Sequence, residues 1–266
     1  MGRRTPDSCT PSKRSAHSPH HCIYGCSFGS NHIDPIQPAA ATEDGGAGAE
    51  TGTMLRSPVF WLMFVMMTLM STSGLMVVSN MAGFATEFGV AQMTVWGMAA
   101  LPLALTIDRF TNGLTRPFFG WVSDRIGREN TMGLAFGLEA AAILLLLVFR
   151  QDAPAFVALS GLVFFGWGEI FSLFPSTLTD TFGSRNATTN YGFLYIAQGV
   201  GSILGGPVAA AMKVATGSWT PVFGVAVAMD VVTALLALFV LKQMRAAYFG
   251  AQATLPLGSV VSAASR

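Results

Sequence analysis

From residue 54 onward, long apolar runs alternate with short polar segments. Each run contains about 20 residues or more, which is the length that a helix needs to cross a hydrocarbon core about 30 Å thick. Because a lipid-exposed chain must pair its own backbone groups, these runs predict an all-α integral membrane protein. The predicted transmembrane helices number six and cover approximately residues 58–82, 94–122, 131–149, 155–178, 191–212 and 221–241.

The first 53 residues differ from everything that follows. They are rich in Ser, Pro, His, Gly and Ala and show no helical or alternating apolar pattern, which is typical of disordered chain. We therefore predict a disordered polar tail over residues 1–53, a six-helix transmembrane domain over 54–248 and a flexible cytoplasmic tail over 249–266. Met54 is the expected start of the folded part.

The N-terminal tail contains imidazole and thiol side chains, which are common zinc ligands. Their spacing matches no zinc module, so we predict no metal site. These side chains belong to His17, His20, His21, Cys22 and Cys26.

Charge and composition support the membrane interpretation. Charged residues make up 11% of the chain and the mean hydropathy is +0.52, values that exclude an ordinary soluble domain. All three cysteines lie in the tail, so no disulfide framework holds the apolar part together.

The basic residues predict the orientation, because cytoplasmic loops carry an excess of Lys and Arg. If both ends are cytoplasmic, the outer loops hold Arg150 and Lys213 alone. The inner segments then hold Arg56, Arg125, Arg128, Arg185, Lys242 and Arg245. Six spans and this asymmetry predict cytoplasmic termini.

The second predicted span is unusually polar, since it carries Asp108, Arg109 and Arg116. A charged side chain at the centre of a membrane helix costs about 2.5–3.5 kcal/mol on insertion scales, so it usually faces a water-filled cavity or a partner. Arg116 lies about 12 Å before Asp124 along a helix, near the middle of the membrane. It is therefore a candidate binding residue, with structural ion pairing as the alternative.

The polar turn after this span has the sequence GWVSDRIGRE. It resembles the loop signature of the major facilitator superfamily, G-x-x-x-D-R-x-G-R-R, although Glu129 replaces its last basic residue. Gly120 is expected to allow a close helix approach and Gly127 a tight turn. Asp124 is expected to pair with a cation or to meet a helix N-terminus, a contact that breaks during a conformational switch. The alternative is a basic loop that sets orientation alone. The matching residues are Gly120, Asp124, Arg125, Gly127 and Arg128.

Three further stretches, residues 112–132, 164–176 and 190–199, look like the oxalate:formate antiporter family. The resemblance implies exchange of small carboxylates across the bacterial inner membrane by alternating access. It also implies that the predicted spans correspond to helices seven to twelve of a twelve-helix fold.

The resemblance also suggests substrate-binding residues. The family's helix-eight cation falls on Arg116, and its helix-eleven lysine falls on Gln198. Glutamine donates hydrogen bonds but supplies no charge, so a monocarboxylate, or a dicarboxylate accompanied by a proton, suits this site better than oxalate. Arg109 shares approximately the same helix face as Arg116 and is a weaker candidate.

Aromatic and acidic residues complete the candidate site. Trp167, Phe171 and Tyr195 are expected to line the cavity, with plain packing as the alternative. Glu169 and Asp108 are candidates for charge balance or a proton relay. The other acids at membrane depth, Glu139 and Asp230, are expected to be structural.

No nucleophile–base constellation and no cofactor motif is present, so neither an enzyme nor a cofactor is predicted. The expected partners are small carboxylate anions and the lipid bilayer, not nucleic acid. A separate N-terminal half or a second copy would complete the cavity. The rival interpretation is a non-transporting membrane subunit or an incomplete gene product, and the latter is favoured because the tail does not resemble the six other helices.

Overall fold

The computed structural model describes residues 48–253, which are almost entirely helical. Strands β1 (Thr94–Val95) and β2 (Met98–Ala99) form one short hairpin. A π-helical stretch, Leu236–Leu241, joins α8 to α9. The α-helices are α1 (Thr51–Arg56), α2 (Pro58–Glu87), α3 (Ala100–Ile126), α4 (Arg128–Val148), α5 (Ala153–Trp167), α6 (Ile170–Phe182), α7 (Ala187–Thr216), α8 (Thr220–Leu235) and α9 (Lys242–Ala253).

Five helical segments of the described chain have the length and composition to cross a membrane, which supports the predicted fold class. They are Pro58–Glu87, Arg128–Val148, Ala153–Phe182, Ala187–Thr216 and Thr220–Ala251. The sixth predicted span corresponds to α3. Its 27 residues would extend about 40 Å, but its charged side chains lower its apolar character.

The start of α3 differs from the prediction, which had a helix from residue 94. Residues 94–99 instead form the hairpin β1–β2, with the register Thr94 opposite Ala99. Its two turn residues, Trp96 and Gly97, both have positive φ angles, of 50° and 82°. Two such residues match the type I′ turn that suits the twist of a two-residue hairpin. Periodicity could not reveal this turn, because the surrounding residues are apolar.

Two other differences concern helix continuity. The predicted span 155–178 is divided into α5 and α6 at Gly168 and Glu169. The last span continues through the π-helical stretch into α9, which includes residues predicted to begin a flexible tail. At the other end of the described chain, the backbone N–H of Ala49 donates to the Phe182 carbonyl (2.7 Å).

Several predictions fall outside the described residues. They concern the disordered tail over residues 1–47, its histidine and cysteine cluster, and residues 254–266.

Helix α2 lies at the centre of the packing, against α7 and α8. Helix α4 packs on α5 and α8, and α3 packs on α5. One core cluster contains Phe84, Phe156 and Phe223, and the other contains Phe136 and Phe174. The core therefore lies among α2, α4, α5, α6 and α8, and α3 and α7 flank it.

Helices α3 and α7 each leave a long face unburied within the described chain. Large apolar side chains on these faces include Phe110, Leu114, Ile203 and Val214, which are 63–86% exposed. In a bilayer such surface is free to contact lipid or another protein unit. These two helices carry the two residues, Arg116 and Gln198, that the sequence singled out.

Candidate functional site

Arg116 is held in place by the packing of α3 on α5. The hydroxyl of the preceding residue, Thr115, is fully buried and donates to the Phe165 carbonyl (2.8 Å). Three residues earlier on α3, Asn112 lies against Gly168, where a Cβ would be 3.2 Å from its Nδ2. These contacts leave the Arg116 side chain exposed, with its guanidinium carbon 5.2 Å from the centre of the Phe171 ring.

Phe171 connects Arg116 to an aromatic cluster. It meets Trp167 edge to face at 5.6 Å between ring centres and Tyr195 at 6.3 Å. Tyr191 extends the cluster, because its ring centre lies 5.6 Å from that of Tyr195. The structure thus brings together all three aromatic residues predicted from the sequence, and Phe171 is the one that contacts Arg116. We call Arg116, Trp167, Phe171, Tyr191 and Tyr195 the arginine–aromatic cluster.

The Trp167 indole rests on Gly74 of α2, where any Cβ would overlap its ring. Its Nε1 is buried and has no hydrogen-bond partner in the described chain. Helix α2 therefore packs against the cluster at Trp167, although it supplies none of the residues predicted for the site.

Gln198 lies on α7 one turn after Tyr195. Its Oε1 accepts a hydrogen bond from the hydroxyl of Ser71 on α2. Within residues 48–253, no group accepts a hydrogen bond from its Nε2. The amide of Gln198 therefore has its oxygen occupied and its two N–H groups free.

Arg109 and Asp108 do not join this cluster. Arg109 is exposed about 10 Å from Arg116 along the helix axis. Asp108 is fully buried, and neither carboxylate oxygen has a hydrogen-bond partner in the described residues. Although the two are adjacent in sequence, they form no ion pair in the described structure, because Asp108 is buried in the bundle and Arg109 is exposed.

Three more carboxyl groups, those of Glu139, Glu169 and Asp230, are fully buried without a hydrogen-bond partner in the part of the chain that the structure describes. Glu139 packs against Gly166, where a Cβ would lie 2.7 Å from the Cβ of Glu139. Glu169 occupies the interruption between α5 and α6, two residues from Trp167. The ion pairs of the described chain do not include one between Glu169 and Arg116.

The turn after α3 is built around Gly127, whose φ of 89° ends one helix and begins the next. Arg128 pairs with Asp124 (3.1 Å) and with Asp180 at the end of α6 (2.9 Å). It also donates to Ser123. The turn is therefore tied to α6 through one guanidinium.

The glycine at the start of the turn signature has a different environment from the one expected. A Cβ at Gly120 would meet no atom within 4 Å among the described residues. No helix of this part of the chain approaches it, so close packing of the described helices does not explain a glycine here.

Glu129, which departs from the signature, is paired with Arg245 of α9. Arg245 is 7% exposed and also donates from Nε to the Thr181 hydroxyl (2.8 Å). The reversed charge at position 129 is therefore matched by a buried cation about 116 residues later in the chain. We call Asp124, Arg128, Asp180, Glu129 and Arg245 the turn network.

Sequence reasoning missed Ser71, Tyr191, Asp180 and the pairing role of Arg245. Tyr191 could have been found, because it is four residues before Tyr195 and shares its helix face. The others contact the site from distant parts of the chain, and no local pattern marks them.

A cavity of about 810 Å³ opens at the opposite end of the molecule from the turn network, beside the hairpin. Its lining includes Thr94, Phe149, Arg150 and Asp152. None of the predicted site residues lines it, so we do not assign it to the arginine–aromatic cluster.

Residues 62–254 match the model of the family described as the Major Facilitator Superfamily. The chain is 34% identical over 195 residues to the oxalate:formate antiporter of Oxalobacter formigenes, covering 73% of this chain and 45% of that protein. It is 29% identical over 154 residues to the uncharacterized MFS-type transporter YhjX of Escherichia coli K12, covering 56% and 36%.

A similarity of 23% over 195 residues to monocarboxylate transporter 13 of Bos taurus covers 72% of this chain and 44% of that protein. The chain thus spans less than half the length of each of these relatives. All three are named as transporters.

Proposed function

Because the chain belongs to the Major Facilitator Superfamily, we propose that it is the carboxylate-binding six-helix unit of a secondary membrane transporter. The observation that carries the proposal is the arginine–aromatic cluster, in which an exposed guanidinium on α3 lies over a ring that also contacts α7. The family implies transport and not enzymatic chemistry.

Arg116 is suited to bind a carboxylate because its planar guanidinium can donate two parallel hydrogen bonds to the two oxygens. Contact with the Phe171 ring restrains the guanidinium and lowers the entropy lost on binding. Gln198, one turn from Tyr195, adds neutral N–H donors. Arg109 remains a weaker candidate contact, because the described structure connects it to no member of the cluster.

The charge of the cluster favours a singly charged substrate. Arg116 supplies one positive charge, and the position of the family's second cation holds Gln198. A small monocarboxylate balances one guanidinium, whereas a dicarboxylate leaves one negative charge uncompensated unless it carries a proton. One relative is named for formate, a monocarboxylate, and for oxalate, a dicarboxylate, and another is named for monocarboxylates. These names support a small carboxylate as the substrate, and the charge of the cluster favours the singly charged kind.

We further propose that the unit works by alternating access, with the turn network as the element that changes. Its ion pairs join α3, α4, α6 and α9 at one end of the bundle, so a rocking motion would have to rearrange them. The substrate would lie between the faces of α3 and α7 and a second six-helix unit, supplied by an N-terminal half or another copy of this chain. Any proton coupling is assigned to Glu169, which adjoins the cluster, in preference to Asp108.

The proposed setting is a bacterial inner membrane with both termini cytoplasmic, which would place the turn network on the cytoplasmic side.

The direct test is counterflow of labelled formate, oxalate and other small carboxylates by the full chain in liposomes, together with binding of labelled formate in detergent. Arg116→Ala should abolish both, because it removes the charge that balances the substrate. Arg150→Ala is the matched control, since this arginine contacts the Phe88 ring at the opposite end of the molecule (5.0 Å). Binding that is absent in the unmodified chain, or equal in the two variants, would overturn the proposal.

A further inference from the structure

The hydroxyl of Ser71 makes a different hydrogen bond from those of Thr68 and Thr72, the threonines three residues before it and one residue after it on α2. Thr68 and Thr72 donate to the carbonyls four residues earlier, Phe64 and Thr68, each at 2.8 Å. This back-bonding is the usual arrangement for a hydroxyl inside a helix. Ser71 instead donates across the interface to Oε1 of Gln198 on α7.

Gly201 makes this bond geometrically accessible. It follows Gln198 by three residues, and a Cβ at Gly201 would be 2.5 Å from Cβ of Ser71 and 2.9 Å from the backbone nitrogen of Thr72. The absence of a side chain therefore lets the backbones of α2 and α7 approach closely. The short Ser71 side chain can then reach Gln198, which lies about one turn before Gly201 on α7.

We propose that Ser71 is a positioning residue that makes Gln198 a dedicated hydrogen-bond donor toward a small monocarboxylate. A glutamine amide presents either an oxygen acceptor or an NH₂ donor, depending on its orientation. An oxygen facing the substrate would repel a carboxylate, whereas NH₂ binds it. The Ser71 hydroxyl donates to Oε1, which leaves Nε2 without a partner in the described chain and able to donate to a carboxylate. This inference rests on the proposed carboxylate-binding function.

The arrangement also explains how a neutral side chain can serve at this position. A lysine carries donors alone and needs no partner to select its orientation, whereas a glutamine does. Ser71 supplies a donor for the amide oxygen when Nε2 donates to the substrate, and it adds no charge, so the site retains the single positive charge of Arg116. Its substrate class is therefore a small carboxylate with one negative charge, for which formate is the probe.

The test is equilibrium binding of labelled formate to the purified full chain in detergent. Ser71→Ala should weaken formate binding by about tenfold, because the amide oxygen then loses the donor that stabilises the orientation with Nε2 toward the substrate. In a Gln198→Ala background the same change should have less than about a twofold effect, since no amide remains to be oriented. In a Gln198→Lys background it should likewise have little effect.

Thr68→Val is the matched control, because it removes a hydroxyl from the same helix that bonds within α2 alone. Ser71→Cys keeps the shape of the side chain, with a larger sulfur atom, and offers only a weak donor, so it should weaken binding in the same direction and decides the matter if Ser71→Ala does not fold.

The outcomes are distinguishable. Equal losses from Ser71→Ala in all three backgrounds, or a loss no larger than that of Thr68→Val, would mean a structural role and overturn the inference alone. Formate binding that is absent in the unmodified chain, or insensitive to Arg116→Ala, would overturn the proposed function and this inference together.

Discussion

Gly74 offers a sharp test of how the arginine–aromatic cluster is supported, because it lies directly beneath Trp167. A methyl group at this position would overlap Cδ1 and Nε1 of the indole and lie 2.7 Å from Cγ. Such separations are too short for carbon atoms, so Gly74→Ala must displace the indole. Trp167 in turn contacts Phe171, whose ring lies against the Arg116 guanidinium. One added methyl group should therefore disturb the whole cluster.

The expected cost follows from overpacking a close-packed interior, which is about 1–3 kcal/mol. The usual gain from replacing glycine by alanine inside a helix, about 0.5–1 kcal/mol, offsets part of it. We expect Gly74→Ala to lower the midpoint of thermal unfolding in detergent and to weaken formate binding. The reduced contact between Phe171 and the guanidinium would account for the weaker binding.

Gly206→Ala on α7 is the matched control. A Cβ there would meet no atom within 4 Å in the described chain, so this variant should be as stable as the unmodified chain or slightly more stable. Trp167→Phe should partly rescue Gly74→Ala, because the smaller ring leaves room for the methyl group. If Gly74→Ala and Gly206→Ala behave alike in unfolding and in binding, the support assigned to α2 is wrong.

Two further predictions concern charge. Gln198→Lys should strengthen oxalate binding relative to formate in competition with labelled formate, since a second cation balances a second carboxylate; an unchanged ratio would contradict the charge argument. Glu129→Gln should destabilise the chain by about 1–3 kcal/mol, because Arg245 keeps its bond to Thr181. This is less than the roughly 3–5 kcal/mol that is lost when one partner of a fully buried ion pair is removed. The midpoint of thermal unfolding measures this change. The double replacement Glu129→Arg with Arg245→Glu should recover much of the lost stability. An unaltered midpoint in Glu129→Gln would show that the pair contributes no stability.

The helical membrane architecture could be predicted from the sequence, because it depends on local properties. The length of an apolar run decides whether a helix can cross the membrane. This length can be read from the sequence without knowing which helices pack together. The predicted spans accordingly lie within helices of the structure, except at residues 94–99, at the interruption formed by Gly168 and Glu169, and at Phe149, which follows the end of α4. There, the backbone angles of Trp96 and Gly97 form a hairpin that apolar periodicity does not reveal.

Part of the candidate site could also be predicted from local properties of the sequence. Arg116 stands out because a charge inside an apolar run is costly, and Gln198 because it occupies a position where the resembling family has a cation. The aromatic residues Trp167, Phe171 and Tyr195 share helical spacing with one another or with Gln198. Their meeting beside Arg116 required the packing of α3, α5, α6 and α7.

The contacts that orient these groups were decided by tertiary structure alone. Ser71 is 127 residues from Gln198, and Glu129 is 116 residues from Arg245. Such pairs depend on which helices pack together and how closely, which in turn depends on Gly201 at one interface and on the path of α9 at the other. The sequence therefore determined the helices and the residues that could bind an anion. Packing decided which way the Gln198 amide points and which cation compensates Glu129, because both result from contacts between distant segments.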